Sequence, residues 1–342
     1  MIAKGSFHAL TEHIGYFTGT TNVGLVISGP ALFLIDSGDR PEDGEQLATS
    51  LRELFPGRRL KAVIHTHGHS DHCGGSKFLR EHTGCEIWAP KTESTFIENP
   101  GIAPDIYWGG RHFDAKDVPV FQTGDACKVD RLLEEGLLDE PDVSFKLVPL
   151  PGHFYDQLGL VVSDKVYGKK AYFLGDAFFG IEMIKNYWIP FMQDQKLFRE
   201  SLCKIENEEA DLFVPSHGMP FNREKLPALA EINKLLTLEM ESLILRIIAR
   251  KPSTCEEILK EVADFAGLHM KLSQYVLIGS TLRSYISRLY NDGKLRYTME
   301  ENRLLWSINV ADGKTAETAS PLSRSPAIGK SRIYSAENSG VS

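Results

Sequence analysis

The sequence predicts an α/β protein with a small helical unit appended at its C-terminal side. Three observations carry that prediction. Short apolar runs alternate with helix-like stretches through the first part of the chain. Several of those runs end in His, Asp or Gly, which places polar groups on loops at one edge of a layered sheet. After Pro220 the texture changes to long amphipathic stretches that run into two short strands around a turn.

Taken in order, NVGLVISG and ALFLIDSG read as strands, EQLATSLRELF as a helix and LKAVIHTH as a further strand. The alternation continues through CEIWAP, FKLVPLPGH, LGLVVSD, KAYFLGD and DLFVPSHG. Between Pro90 and Val143 the sequence predicts a long connection carrying Pro100, Pro104, Trp108, Gly109, Gly110 and His112. Connections of that length inside a compact domain are usually functional or mobile. The stretch NREKLPALAEINKLLTLEMESLILRIIARK then reads as a helix. Ser253 and Thr254 before CEEILKEVADFAG form a capping-box start, because Thr254 caps the helix while Glu257 reaches back. A second helix, roughly LSQYVLIGSTLRSYISRLYNDG, ends at Gly293, and KLRYTM and RLLWSI flank the turn Glu300-Glu301-Asn302. Helix, helix and hairpin together resemble a winged helix. The residues from Ala311 onward are rich in Ser and Ala, poor in large apolar side chains, and read as a disordered tail. The expected division is therefore 1–222, 223–310 and 311–342.

Composition narrows the function. The 342 residues include 38 basic against 46 acidic side chains, a net charge of −8. That excludes a generally basic nucleic-acid-coating protein, though not a local basic face. No apolar run approaches the ~20 residues of a membrane span. The start MIAKGSFHALTEHIGYF lacks the apolar core and cleavage site of a secretory signal. Five cysteines, Cys73, Cys85, Cys127, Cys203 and Cys255, are odd in number, scattered and without a CxxC pair. A disulfide framework is not expected, and a reducing cytoplasm is the expected location.

Histidine carries the chemistry. Of 11 in the chain, four lie between 65 and 72, in His65 and the run Thr66-His67-Gly68-His69-Ser70-Asp71-His72-Cys73-Gly74-Gly75. His67 and His69 are two apart and project to one side of extended backbone. Asp71 and His72 follow where the chain turns, and Gly74-Gly75 permits tight backbone geometry. Imidazole nitrogen with carboxylate oxygen suits zinc, and also iron, manganese or cobalt.

This run resembles the signature of the metallo-β-lactamase-fold hydrolases, glyoxalase II and the β-lactamase-like-2 type among them. Further pieces of the family pattern stand in order: Leu34-Ile35-Asp36-Ser37-Gly38, Pro151-Gly152-His153, Gly175-Asp176 and Ser216-His217-Gly218, together spanning about residues 15–220. The resemblance implies an αββα sandwich of two mixed sheets over 1–222, with metals at one edge. It implies that His67, His69 and His153 hold one metal, that Asp71, His72 and His217 hold the second, and that Asp176 bridges. Two divalent ions are expected, Zn2+ first, with Fe or Mn as alternatives. The implied reaction is attack of a metal-bound hydroxide on a carbonyl or phosphoryl centre, with Asp71 helping to steady the leaving group. Asp36 would buttress the ligand loops, and His65 would stand behind the ligands or pack.

Departures within the family sharpen this. Flavodiiron oxidoreductases carry Glu at the place of His69, so the histidine here favours hydrolysis. Asp176 argues against antibiotic hydrolysis, because zinc β-lactamases typically lack it. A single-iron persulfide dioxygenase remains an alternative on ligands alone. The glyoxalase II resemblance stops at the metal core.

Substrate choice should reside in loops. Tyr107, Trp108, Arg111, His112 and Tyr187, with Phe178, Trp188 and Phe191, suggest a pocket with apolar walls. The expected substrate is a small-molecule ester or thioester; the alternative is a phosphodiester in single-stranded nucleic acid. Units like the C-terminal one follow enzymes of the β-lactamase-like-2 type, some of which cut single-stranded RNA. Residues 240–310 carry ten Lys/Arg against eight Asp/Glu, however, a net +2 too small for an electrostatic funnel. Homodimer formation or shielding of the site is the expected role of that unit, with no membrane partner.

Overall fold

The structure, a computed structural model, describes residue 2 and residues 5–114, 118–187 and 189–309, the side chains of 185–187 excepted. The predicted tail at 311–342 lies outside the described residues.

Continuous apolar runs become strands that are covered on both faces. A seven-stranded sheet joins, in spatial order, β1 (Phe7–Ala9), β2 (Ile14–Phe17), β3 (Val23–Ser28), β4 (Ala31–Ile35), β5 (Arg59–Ile64), β6 (Glu86–Pro90) and β7 (Arg131–Leu133). A six-stranded sheet runs from β8 (Gly136–Asp139) through β9 (Val143–Pro149), β10 (Leu158–Asp164), β11 (Lys170–Gly175) and β12 (Leu212–Pro215) to β13 (Phe221–Asn222). Alternate residues of one strand enter different cores, as the two-residue repeat demands. Phe33 and Ile35 of β4, with Ala171 and Phe173 of β11, fill the layer between the sheets. Leu32 and Leu34 face outward onto Leu47 and Leu51 of α1 (Pro41–Leu54), while Tyr172 and Leu174 face Phe198 and Leu202 of α7 (Gln195–Asn207). The result is the expected αββα sandwich.

Strand direction collects the polar ends. β4 and β5 are parallel, as are β11 and β12, and β9 runs the same way as β11 because each is antiparallel to β10. The C-terminal ends of these strands lead to Asp36, to His65–His69, to His153, to Asp176 and to His217. The histidine run itself continues into the short helix α2 (Ser70–Cys73) and then α3 (Ser76–Thr83).

The connection from Pro90 to Val143 is more regular than the sequence suggested. Its described residues hold α4 (Lys91–Glu98), α5 (Ile102–Trp108), the 3-10 turn Pro119–Phe121 and one edge strand of each sheet, β7 and β8. Pro104 did not mark a loop, because a proline inside the first turn of a helix gives up no hydrogen bond the helix would have made. The segment after β11 holds α6 (Ile181–Tyr187).

The C-terminal region comprises α8 (Leu226–Arg250), α9 (Cys255–Ala266), α10 (Leu272–Asn291) and a separate hairpin of β14 (Leu295–Glu300) and β15 (Arg303–Ile308). The capping box forms as read: the Glu257 amide donates to Thr254 Oγ1 at 3.2 Å, and the Thr254 amide donates to Glu257 Oε2 at 2.8 Å. Both hairpin-turn residues, Glu301 and Asn302, have positive φ (49° and 63°), the backbone a tight two-residue turn needs. Ile244, Ile258, Leu282 and Leu295 form a core of their own, joined to the sandwich where α8 packs on α7 and Arg199 reaches Glu241 at 2.7 Å. Among the described residues no helix is long and apolar enough to cross a membrane.

Candidate metal centre

The site grows from a buried carboxylate. Asp36 follows β4 with φ 65°, a left-handed backbone unusual for a non-glycine residue, and is 1% exposed. Its Oδ1 accepts the Thr66 amide at 2.9 Å, and its Oδ2 accepts Thr66 Oγ1 at 2.9 Å and lies 3.0 Å from His72 Nδ1. Burial would raise its pKa, but His72 and His65 outweigh that and hold it below the ordinary carboxylate value. One carboxylate thus anchors the strand end from which the histidine run departs.

The ring nitrogens are then oriented one by one. His67 Nδ1 is 3.0 Å from Thr66 Oγ1, whose own proton goes to Asp36. His153 Nδ1 donates to the Phe191 carbonyl at 2.9 Å, and His217 Nδ1 donates to the Thr20 carbonyl at 2.9 Å. With Nδ1 committed outward on His67, His72, His153 and His217, each Nε2 faces inward. His69 differs: its Nδ1 faces inward, 3.0 Å from both His67 Nε2 and His153 Nε2.

Three groups of side chains converge, each with donor atoms within 4.8 Å of one another: His67, His69 and His153; His67, His72 and Asp176; and Asp71, His72 and His217. Asp176 lies among them. Its Oδ1 is 3.6 Å from His72 Nε2, and its Oδ2 is 3.4 Å from His153 Nε2 and 3.5 Å from His217 Nε2. Asp71 Oδ2 is 3.1 Å from His217 Nε2 and 3.6 Å from His72 Nε2.

These residues fit divalent metal ions. His72 Nε2 and Asp176 Oδ1 are buried and without a hydrogen-bond partner, an expensive state unless an ion satisfies them. His69 Nδ1, 3.0 Å from the Nε2 atoms of His67 and His153, suits an ion at ~2.0–2.1 Å from each of the three nitrogens. Charge agrees. Burial pulls His72 down, yet Asp71, Asp176 and Asp36 together push it up to about 9, and Asp176 and Asp71 hold His217 well above its usual value. This half of the site calls for positive charge. In the other half burial depresses His67 and His153, and takes His69 down to about 3 with His153 adding to it, so those rings are neutral and ready to ligate.

The remaining candidates divide. His65, fully buried, sets Nε2 2.8 Å from Ser76 Oγ and Nδ1 3.4 Å from Asp36, packed behind the donors. Tyr107 approaches the site, its ring 6.2 Å from His69 and 5.1 Å from Phe191. With Phe154 and Phe191 it walls the His69 side. The contacts of Trp108 run to Phe113 and Phe121, those of His112 to Asp105 and Phe121, and exposed Arg111 pairs with Asp105. Phe178 packs on Phe221 in the outer core. The side chain of Tyr187 and the whole of Trp188 lie outside the described residues.

Several supports escaped sequence reading. Glu93, on α4, is fully buried, accepts the Gly68 amide at 2.9 Å and the Asp156 amide at 3.0 Å, and so ties the His67–His69 loop to the loop after His153. Burial raises its pKa to about 8 despite those two donors. Asn22 holds the His217 loop by donating from Nδ2 to the carbonyls of Pro215 and Gly218, both at 2.8 Å. Gln157 Oε1 accepts the Asp176 amide at 3.2 Å. Each acts from a distant stretch of chain, and no local motif announces any of them.

The tight geometry expected at Gly74-Gly75 takes the form of a close approach of backbones. Both adopt ordinary helical φ (−60° and −83°), but a Cβ on Gly74 would lie 2.1 Å from the Asp39 carbonyl, and one on Gly75 2.4 Å from that of Ser37. Close approach of two backbones, not special torsion, requires glycine here.

Comparison with known proteins agrees with this architecture. A hydroxyacylglutathione hydrolase, GloC, of Haemophilus influenzae is 29% identical over 148 residues, covering 43% of this chain and 60% of that one. The probable metallo-hydrolase YflN of Bacillus subtilis is 27% identical over 243 residues, covering 64% and 85%. The matched stretch thus spans only about three-fifths of the first relative. A beta-lactamase domain protein from Burkholderia ambifaria superposes with a TM-score of 0.67 at 18% identity over 90% of this chain and 95% of that one, a likeness of fold. The model of the metallo-beta-lactamase superfamily matches residues 16–217, the span that contains every donor described above, and the chain belongs to that superfamily.

Proposed function

We propose that the protein is a dinuclear metal-dependent hydrolase of a small ester or thioester. The observation that carries this reading is the placement of Asp176, with one oxygen toward His72 and the other toward His153 and His217. In this reading His67, His69 and His153 hold one ion, Asp71, His72 and His217 hold the other, and Asp176 lies between. The ions, Zn2+ first, supply Lewis acidity toward a substrate oxygen and a lowered water pKa. The protein's own groups do the rest. Asp71, whose side chain is 36% exposed, is the donor best placed to meet a leaving group. Tyr107, Phe154 and Phe191 exclude water beside His69 and offer an apolar wall to an acyl chain.

The substrate class draws on two supports. The wall is aromatic, while Arg111 is spent on Asp105 at 3.3 Å, so the wall offers an acyl group more than it offers a phosphodiester. The Haemophilus influenzae relative is named for hydrolysis of a hydroxyacylglutathione. We further infer that the chain divides near residue 222 and that α9, α10 and the β14–β15 hairpin form a winged-helix-like unit.

The test is hydrolysis by metal-loaded protein beside Asp176→Ala, on short acyl thioesters, esters and a labelled single-stranded RNA. Thioester or ester turnover abolished by a chelator and by the substitution supports the reading. Metal-dependent RNA cleavage without acyl turnover overturns the substrate class and favours a phosphodiesterase.

A further inference from the structure

The Phe191 carbonyl that receives the His153 proton belongs to residues 189–194, an irregular segment between α6 and α7. Irregular backbone holds a ligand ring steadily only if it is itself held. On the sandwich side, the Gln193 amide donates to the carbonyls of Gly152 (2.9 Å) and His153 (3.2 Å), and the Asp194 amide to that of Gly152 (2.9 Å). On the other side the segment is held by α10. The Met192 amide donates to Thr281 Oγ1 at 3.2 Å, and Ser284 Oγ donates to the Gln193 carbonyl. Thr281 and Ser284 are three residues apart and so share one helix face. Ile189, at the start of the segment, is buried in the C-terminal core beside Ile278 and Leu282 of the same helix.

The arrangement is costly to disturb. Thr281 is 1% exposed, and removing its oxygen leaves the Met192 amide buried without a partner. α10 also touches the other wall: the Val120 amide donates to Ser273 Oγ at 3.3 Å, in the turn whose Phe121 packs against α5's Trp108. One helix of the C-terminal region therefore contacts the 189–194 segment and also α5, whose Tyr107 faces His69.

We propose that α10 is a positioning element of the metal centre: Thr281 and Ser284 set the 189–194 segment, whose Phe191 carbonyl fixes the His153 ring with Nε2 toward His69. The C-terminal region then completes the site instead of merely accompanying it. This rests on His153 holding a metal ion, as proposed above. Both side chains act through backbone groups of the segment, at Met192 and Gln193.

The experiment uses the full chain with Thr281→Val, which keeps shape and loses the oxygen, with Thr281→Ser as rescue, and with Ser284→Ala. Ser287→Ala, on the same helix but outside these contacts, is the control. Zinc affinity is measured by competition with a chromophoric chelator, the absorption spectrum of cobalt-loaded protein reports ligand geometry, and circular dichroism and melting report folding. Partners that orient a ligating histidine are typically worth ~10–100-fold in metal affinity, so a loss of about 10-fold is expected in T281V and S284A. The cobalt spectrum should change with it, and both should return in T281S. Should T281V fail to fold, the partly exposed Ser284 decides through S284A. Folded variants with wild-type affinity and an unchanged cobalt spectrum overturn the inference. Wild-type protein that takes up no metal overturns both readings, whereas metal uptake without hydrolysis bears on the substrate alone.

Discussion

His72 Nδ1 lies 3.0 Å from Asp36 Oδ2, and that contact turns Nε2 toward Asp71 and Asp176 at 3.6 Å each. A residue at the end of β4 thereby aims a ring that begins 36 positions later, in α2.

Replacing that carboxylate should weaken metal binding before it weakens folding. Asp36→Asn keeps an oxygen for one donor but loses the charge that faces His72. A drop of ~10–100-fold in affinity for the second ion is expected, read by chelator competition on folded protein. Retained stoichiometry and affinity would show that Asp36 only packs.

Glu93 makes stability depend on pH. Its folded pKa of about 8 lies above its ordinary 4.5, because burial disfavours the charged form. The folded state therefore holds a proton that the unfolded chain releases. Stability is greatest below about pH 4.5 on this account and falls as pH rises toward 8, by at most ~1.4 kcal/mol per pH unit. Denaturant titrations of Glu93→Gln against wild type between pH 5 and 8 should remove that slope. Glu93→Ala should cost roughly 1–3 kcal/mol for each amide it orphans, at Gly68 and Asp156.

Gly74→Ala should fail for steric reasons alone. Its Cβ would lie 2.1 Å from the Asp39 carbonyl, a backbone atom that cannot swing aside. We expect loss of soluble folded protein, or a melting temperature far below wild type, even though alanine is the better helix former. A stable G74A would mean that the 38–40 and 74–75 segments separate easily.

Tyr107 should matter through its ring. Burial and nearby Asp71 and Glu93 raise its pKa well above the usual tyrosine value. Tyr107→Phe should leave KM for an acyl substrate within a few-fold of wild type, and Tyr107→Ala should raise it about 10-fold by opening an apolar wall. A large kcat loss in Y107F would assign the hydroxyl a direct part in the reaction.

The histidine run, the strand-end aspartates and the capping box at Thr254 were legible in the sequence because each is local. Their spacing follows from the two-residue repeat of a strand or the first turn of a helix, and nearby residues suffice to read them. The apolar runs gave an α/β protein, and the αββα layering was implied by the resemblance to the metallo-β-lactamase fold.

What the sequence left unread are the partners that hold the donors in place. Glu93 braces Gly68 from 25 residues away, Asn22 reaches across 193 residues to Pro215, and Thr281 holds Met192 across 89. Those pairings exist only once the two sheets and the C-terminal helices have packed. A buried amide takes whichever acceptor the fold delivers, and no spacing rule says which. The sequence by itself determined the histidines and aspartates and the strand ends that present them. The tertiary structure alone decided which nitrogen of each ring faces inward, because that choice belongs to the acceptor behind the ring.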